Sequence, residues 1–259
     1  MIAKKKLSMA PLLVLFILLT GCSPKPKITE TTLSKIQNPR LISELSQAIC
    51  HQYPNQFKAV HHVALTLLGK TYVLNGYLTV NRREKQLHLI AQNDMGGTLF
   101  EIHTKGGKTR IQSKTKFLKT SWLEKSVVKD LEILYLPPPL SSPELYRGQD
   151  NMLLLSKNQE GICKEYFFKG KPSQQNSDPQ RNNYTLMGYK RLKKNKEIYT
   201  IGYVYDEKNT KNYPSFITIE DQSLNYQLKI NSQYFLPSQK HQRQKIKRHI
   251  AHRKKERRP

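Results

Sequence analysis

The 259 residues carry 44 lysines and arginines against 19 acidic residues, a formal net charge of +25 and a pI near 9.9. Such a balance ordinarily points to nucleic acid, but an export signal at the N-terminus excludes that partner. Three cysteines without a CxxC spacing exclude a zinc ribbon and thioredoxin-like chemistry.

Lys4, Lys5 and Lys6 precede an apolar run, Leu7 to Gly21, that holds Pro11. Fifteen residues fall short of the roughly 20 needed to span a bilayer core. A charged start, an apolar middle and a small-residue end follow the order of a secretory signal peptide, residues 1–21. Its ending, Leu19-Thr20-Gly21-Cys22, resembles the lipobox of bacterial lipoproteins. That resemblance implies cleavage before Cys22 and acylation of its sulfur and nitrogen, a permanent anchor given about 0.8 kcal/mol per buried CH₂. An ordinary signal peptide with a chance cysteine is the alternative. Ser23, rather than aspartate, implies by the same resemblance the outer membrane, with the body facing the periplasm.

Residues 22–37 form an acylated cysteine and a polar, proline-containing tether. Asn38-Pro39 is an N-cap followed by proline at the first helical position, and Leu41, Ile42, Leu45, Ala48 and Ile49 recur on one face through His51. Cys50 falls on the flank of that helix. Once Cys22 is acylated, Cys50 and Cys163 are the remaining pair in an oxidising compartment and read as a disulfide.

From Phe57 the period changes to two: Val63, Leu65 and Leu67 alternate, Gly69-Lys70 turns, and Tyr72, Leu74, Leu78 and Val80 follow. "NRREK" leads into Leu87, Leu89 and Ala91, and "NDMGG" connects to "TLFEIHT" with Phe100 and Ile102 on one face. "KGGK" then turns into "TRIQSKT". Ser121-Trp122-Leu123-Glu124 fits a capping box, and Leu123, Val127, Val128, Leu131 and Leu134 keep helical spacing until Pro137-Pro138-Pro139. Residues 170–183 read as a loop. "YTLMGYKRL", "EIYTIGYVYD", "SFITIED" and "LNYQLKINS" supply four more strands, and Leu224, Tyr226, Leu228 and Ile230 alternate cleanly.

Residues 238–259 hold ten basic residues against Glu256 alone and read as a disordered basic tail. Without the three signal lysines and the tail's +9, residues 22–237 keep +13, so the folded body is basic as well. Anionic lipid or lipopolysaccharide head groups and acidic glycans are the partners such a charge would meet in the periplasm; a solvated lysine-rich surface is the alternative.

The order of N-terminal helix, strand meander, "LIAQNDMGGTLFEI", a helix bearing "VVKDLEILYLP", and "YPSFITIEDQSLNYQLKI" resembles the lipoprotein family catalogued as domain of unknown function 3261. That family is similar to the outer-membrane lipoprotein receptor LolB and its carrier LolA. The resemblance covers residues 38–237 apart from their last two positions, departs at Leu136-Pro137 where the family tends to tryptophan-proline, and implies an α+β fold: a curved, unclosed antiparallel half-barrel with a helical lid. It further implies a concavity able to shelter the acyl or polyene part of a lipidic ligand or lipoprotein cargo. The alternating strand residues supply its lining, namely Val63, Leu65, Leu67, Leu87, Leu89, Phe100, Ile102, Tyr199, Ile201, Tyr203, Leu224, Tyr226 and Leu228, unless they bury one another as ordinary core. By similarity to the receptor's protruding loop, Met95 would touch the membrane.

No catalytic residue, cofactor or metal site is expected. Gly69-Lys70-Thr71 and Gly107-Lys108-Thr109 lack the first glycine of a phosphate loop, with Ala64 and Ile102 in its place. Ser113-Lys114-Thr115-Lys116 matches S-x-x-K without its companion motifs. His61 and His62, adjacent in a strand, face opposite sides and are wrong for one metal. The function expected is transport or insertion of a lipidic cargo; a scaffold binding a protein or anionic glycan through its basic surface is the alternative.

Overall fold

The structure, a computed structural model, describes residues 33–113, 115–116, 118–170, 184–206 and 213–237. The signal peptide, Cys22, most of the tether, most of the 170–183 loop and the basic tail lie outside the described residues.

Thirteen strands form one antiparallel sheet. In chain order they are β1 (Ser34–Ile36), β2 (Gln56–Leu67), β3 (Lys70–Asn81), β4 (Gln86–Gln92), β5 (Thr98–Lys105), β6 (Lys108–Ser113), β7 (Glu144–Arg147), β8 (Met152–Gln159), β9 (Ile162–Gly170), β10 (Tyr184–Lys193), β11 (Lys196–Val204), β12 (Phe216–Asp221) and β13 (Tyr226–Pro237). The spatial order is β1-β7-β8-β9-β10-β11-β12-β13-β2-β3-β4-β5-β6, so β1 and β6 are free edges and the sheet does not close. It is nevertheless strongly curved. Phe100 on β5 and Ile219 on β12 line one small cavity, although five strand spacings, about 24 Å in a flat sheet, separate them.

Helix α1 (Pro39–His51) begins where the Asn38 side chain accepts from the Leu41 N–H at 3.0 Å, with Pro39 in the first turn. It buries Leu41, Leu45, Ala48 and Ile49 against the sheet. The second helical connection runs as α2 (Thr120–Leu123), a π-helical turn (Glu124–Val128) and α3 (Lys129–Tyr135). Within the widened turn, Ser126 Oγ donates to the Trp122 carbonyl at 2.7 Å, a side-chain bond that competes with the regular ladder. The expected capping box does not form. The helix starts two residues earlier, with Lys119 at the N-cap and no side-chain cap, so Ser121 is already inside the first turn.

Both helical connections cross the same face, α1 from edge strand β1 to the central β2 and α2–α3 from edge strand β6 to β7 near the other edge. The two helices therefore roof the concave side. Ser34–Ile36, expected as tether, pairs with β7 instead. Strands β7, β8 and β9 complete the sheet in a stretch whose alternation is blurred, since Leu153, Leu154 and Leu155 are all buried.

Tight turns close the hairpins. Leu68 and Gly69 both have positive φ, 49° and 79°, as a two-residue I′ connection requires. At Asn93–Gly97 the Asn93 carboxamide oxygen accepts from the Gly97 N–H at 2.7 Å, and Gly96 sits at φ 80°. Both turns lie at the same end of the sheet, because the β3–β4 turn between them lies at the other.

Candidate functional site

The roof and the sheet leave an apolar cavity of about 60 Å³ between them. Its floor is His61, Val63 and Leu65 of β2, Leu74, Gly76 and Leu78 of β3, Leu89 and Ala91 of β4, Phe100 of β5, Ile219 of β12, and Leu228 and Ile230 of β13. Its roof is Val127, Asp130, Leu131, Leu134 and Tyr135. Period two in the strands and helical spacing in the lid aim these side chains at one another across the sequence.

Of the lining expected from alternation, Val63, Leu65, Leu89, Phe100 and Leu228 do face the cavity. Leu87, Ile102, Tyr199, Ile201, Tyr203 and Tyr226 are buried as core away from it, and Leu67 and Leu224 pack part-buried against that core. Alternation reports which face a residue is on, and only the position of the lid decides what covers it.

Two polar groups were not foreseen. Asp130, 2% exposed, reaches from the lid into the sheet and accepts hydrogen bonds from Tyr199 at 2.6 Å and Tyr226 at 2.7 Å. Burial pushes its carboxyl up to about 7, and the two phenols with neighbouring Lys129 only partly offset that. Next to it Lys129 pairs with Asp221 at 2.9 Å. Burial acts to raise the Asp221 carboxyl too, but donors from Ser223, Lys129 and the Leu224 N–H hold it below the ordinary carboxylate range. His61, 5% exposed, is pushed down to about 4 by burial and is a neutral imidazole at pH 7. Its Nε2 lies 3.3 Å from the Tyr135 hydroxyl and its Nδ1 3.2 Å from Ser232 Oγ. The neighbouring His62 is exposed on the other face, as two-residue periodicity requires. A Lys-Asp-Leu sequence in an otherwise apolar helical stripe is the one sequence signal that could have marked Asp130.

Met95 is 91% exposed at the β4–β5 tip. Leu68, which sequence reading passed over, is 75% exposed on the neighbouring β2–β3 tip at the same end.

The expected Cys50–Cys163 disulfide is absent; both cysteines are free. The sheet lies between them. Cys50, at the end of α1, sits beside Tyr166 on the roofed face. Cys163 shares the outer face with Ser156, whose Oγ is 3.2 Å from its Sγ, and with Glu165. Cys163 and Tyr166 are three positions apart along β9, an odd offset, and that alone puts their side chains on opposite faces.

Among the described residues, no group of three or more His, Cys, Asp or Glu could hold a metal ion, and no helix is long and apolar enough to cross a membrane.

No known family model matches the sequence, and comparison with curated proteins returns no match. Solved structures do match in layout. A LolA superfamily protein from Nitrosomonas europaea superposes with a TM-score of 0.46 at 10% identity, covering 78% of this chain and 94% of that one. A domain described as an outer membrane lipoprotein-sorting protein, from Vibrio parahaemolyticus, gives 0.43 at 8% identity over 76% and 91% of the two chains. A DUF1329 family protein from Desulfovibrio piger gives 0.40 at 10% identity over 76% and 92%.

Proposed function

We propose that this chain is a lipid-anchored envelope protein, of the lipoprotein family its sequence resembles, that shelters the acyl part of a lipidic or lipoprotein cargo beneath the α2–α3 lid and assists its transport or insertion. The observation that carries the reading is the apolar cavity at the lid interface, walled by six adjacent strands, β12-β13-β2-β3-β4-β5, of a sheet that never closes. An unclosed sheet can widen and a helix can lift, whereas a filled sandwich core can do neither. As it stands, the cavity is smaller than the roughly 150 Å³ that admits benzene in an engineered apolar site, so cargo entry requires the lid to move. Anchoring through Cys22 places the body at the periplasmic side of the outer membrane, and the exposed Leu68 and Met95 tips offer it an apolar contact with a bilayer. No reaction is assigned to it: the polar groups of the site are a neutral histidine between Tyr135 and Ser232 and a tyrosine-bound carboxylate.

The second reading is a scaffold with a filled core that binds a protein or anionic glycan through its basic surface, and the small size of the cavity favours it. Native mass spectrometry of the full chain, purified from envelopes without added lipid, separates the two. Adducts of acyl-chain mass support the carrier; a bare polypeptide that also fails to take up a fluorescent fatty acid supports the scaffold.

A further inference from the structure

At the end of the sheet that carries the Leu68 and Met95 tips, the register sets three cations side by side on adjacent strands. Lys157 of β8 is directly opposite Lys164 of β9, which is directly opposite Arg191 of β10. All three are on the concave, roofed face. Two residues inward along each strand stand Leu155, Tyr166 and Tyr189, which belong to the core. Outer-face positions would bear such charges without consequence, but here they are part-buried at the edge of the apolar core.

Like charges directly opposite in a sheet repel, with Cβ atoms only about 5 Å apart, and nothing in the described structure relieves them. Among the described residues none of the three forms an ion pair. Arg191 Nε is buried without a hydrogen-bond partner, the condition in which an unplaced ion or water is expected. The same register row continues to Tyr199, whose ring has Arg191 6.0 Å and Lys129 4.5 Å from its centre. Burial pushes the phenols of Tyr166 and Tyr189 up, and Arg191 is near enough to draw both back. Tyr199 also ties this rim to the cavity, because its hydroxyl bonds Asp130, which lines it.

We infer that Lys157, Lys164 and Arg191 form a seat for the phosphate or carboxylate head of an amphiphile whose acyl chain enters the cavity. The guanidinium supplies a planar fork of donors that matches either anion, and the lysines add point charges on a rim bordered inward by apolar and phenolic side chains. An anion there satisfies Arg191 Nε and removes the repulsion along the row in one step. The inference rests on the acyl-carrier reading and adds to it the sign of the head group.

The experiment uses the full chain and three probes below any micelle-forming concentration: 1-oleoyl lysophosphatidic acid, the uncharged monoolein with the same chain, and inorganic phosphate. Binding is followed by calorimetry at low salt. Loss of one charge-assisted contact set corresponds to about tenfold or more in affinity, so the anionic probe is expected to bind at least that much tighter than monoolein. Arg191→Gln should abolish that preference while leaving monoolein binding unchanged. Because a part-buried arginine can matter to folding, the paired Lys157→Gln, Lys164→Gln variant, checked by circular dichroism, provides the same test at the two other side chains of the row. Equal affinity for the two oleoyl probes overturns the head-group seat and leaves the carrier reading intact. Binding of neither overturns both. Phosphate alone binding as tightly as the lysolipid overturns the amphiphile, and a preference that survives both variants overturns the assignment to this row.

Discussion

Tyr199 on β11 donates a 2.6 Å hydrogen bond to Asp130 on α3, and with Tyr226 from β13 it makes this lid carboxylate a clasp between roof and sheet. Most lid contacts are apolar and can slide, whereas this one is directional and is lost once the helix lifts.

The clasp predicts a defined cost for removing it. Tyr199→Phe keeps the ring that packs in the core and deletes one donor to a buried carboxyl, and should lower unfolding free energy by about 1 to 3 kcal/mol in urea titration. If the lid must lift for entry, the same variant takes up an acyl probe faster than the parent in stopped flow. A stability loss with unchanged uptake would show that this contact does not gate the cavity.

Asp130 and His61 predict opposing pH effects. The Asp130 carboxyl is raised from 3.8 to about 7, so between those values the folded state holds a proton that the unfolded chain has released, and stability falls as pH rises. His61 is lowered from 6.5 to about 4, so in that window the unfolded chain holds the proton and stability rises with pH. The two slopes oppose each other between about pH 4 and 6.5. Asp130→Asn should therefore unmask a rise across that range, and His61→Gln a fall continuing to about pH 7, both read from melting temperature against pH.

The cysteines lie on opposite faces of the sheet, so the folded chain should carry two free thiols at Cys50 and Cys163. Alkylation in denaturant without reductant, followed by peptide mapping, should label both. A linked peptide would require a rearrangement of α1 or β9, since no side chain passes through a paired sheet.

Leu68 and Met95 project from adjacent hairpins and contribute little to the core. Leu68→Asp and Met95→Asp together should leave the melting temperature within about 0.5 kcal/mol equivalent of the parent, as for ordinary surface changes, yet weaken sedimentation with lipid vesicles. Unchanged vesicle binding would remove this end of the sheet from the proposed membrane contact.

Local chemistry alone determined the parts of this protein whose causes are near in sequence. Asn38-Pro39 sets the start of α1, the alternation of Tyr226, Leu228 and Ile230 sets the buried face of β13, and the Asn93–Gly97 turn and Gly69 set two hairpins, the second turning at Leu68-Gly69, one residue before the expected Gly69-Lys70. Where both faces of a strand are buried, as at Leu153 to Leu155, the period vanished and the strand with it. Only the tertiary structure decided the rest. A strand of alternating residues has the same pattern whether a helix, a ligand or another side chain covers it, so the division of Leu89 to the cavity and Leu87 to the core waited on the path of the lid. The partners of Asp130 stand 69 and 96 residues away, and Arg191 meets Lys164 and Tyr199 through strand register, which no short-range spacing encodes. Parity along β9 put Cys163 on the face away from Cys50, where counting cysteines by compartment had paired them.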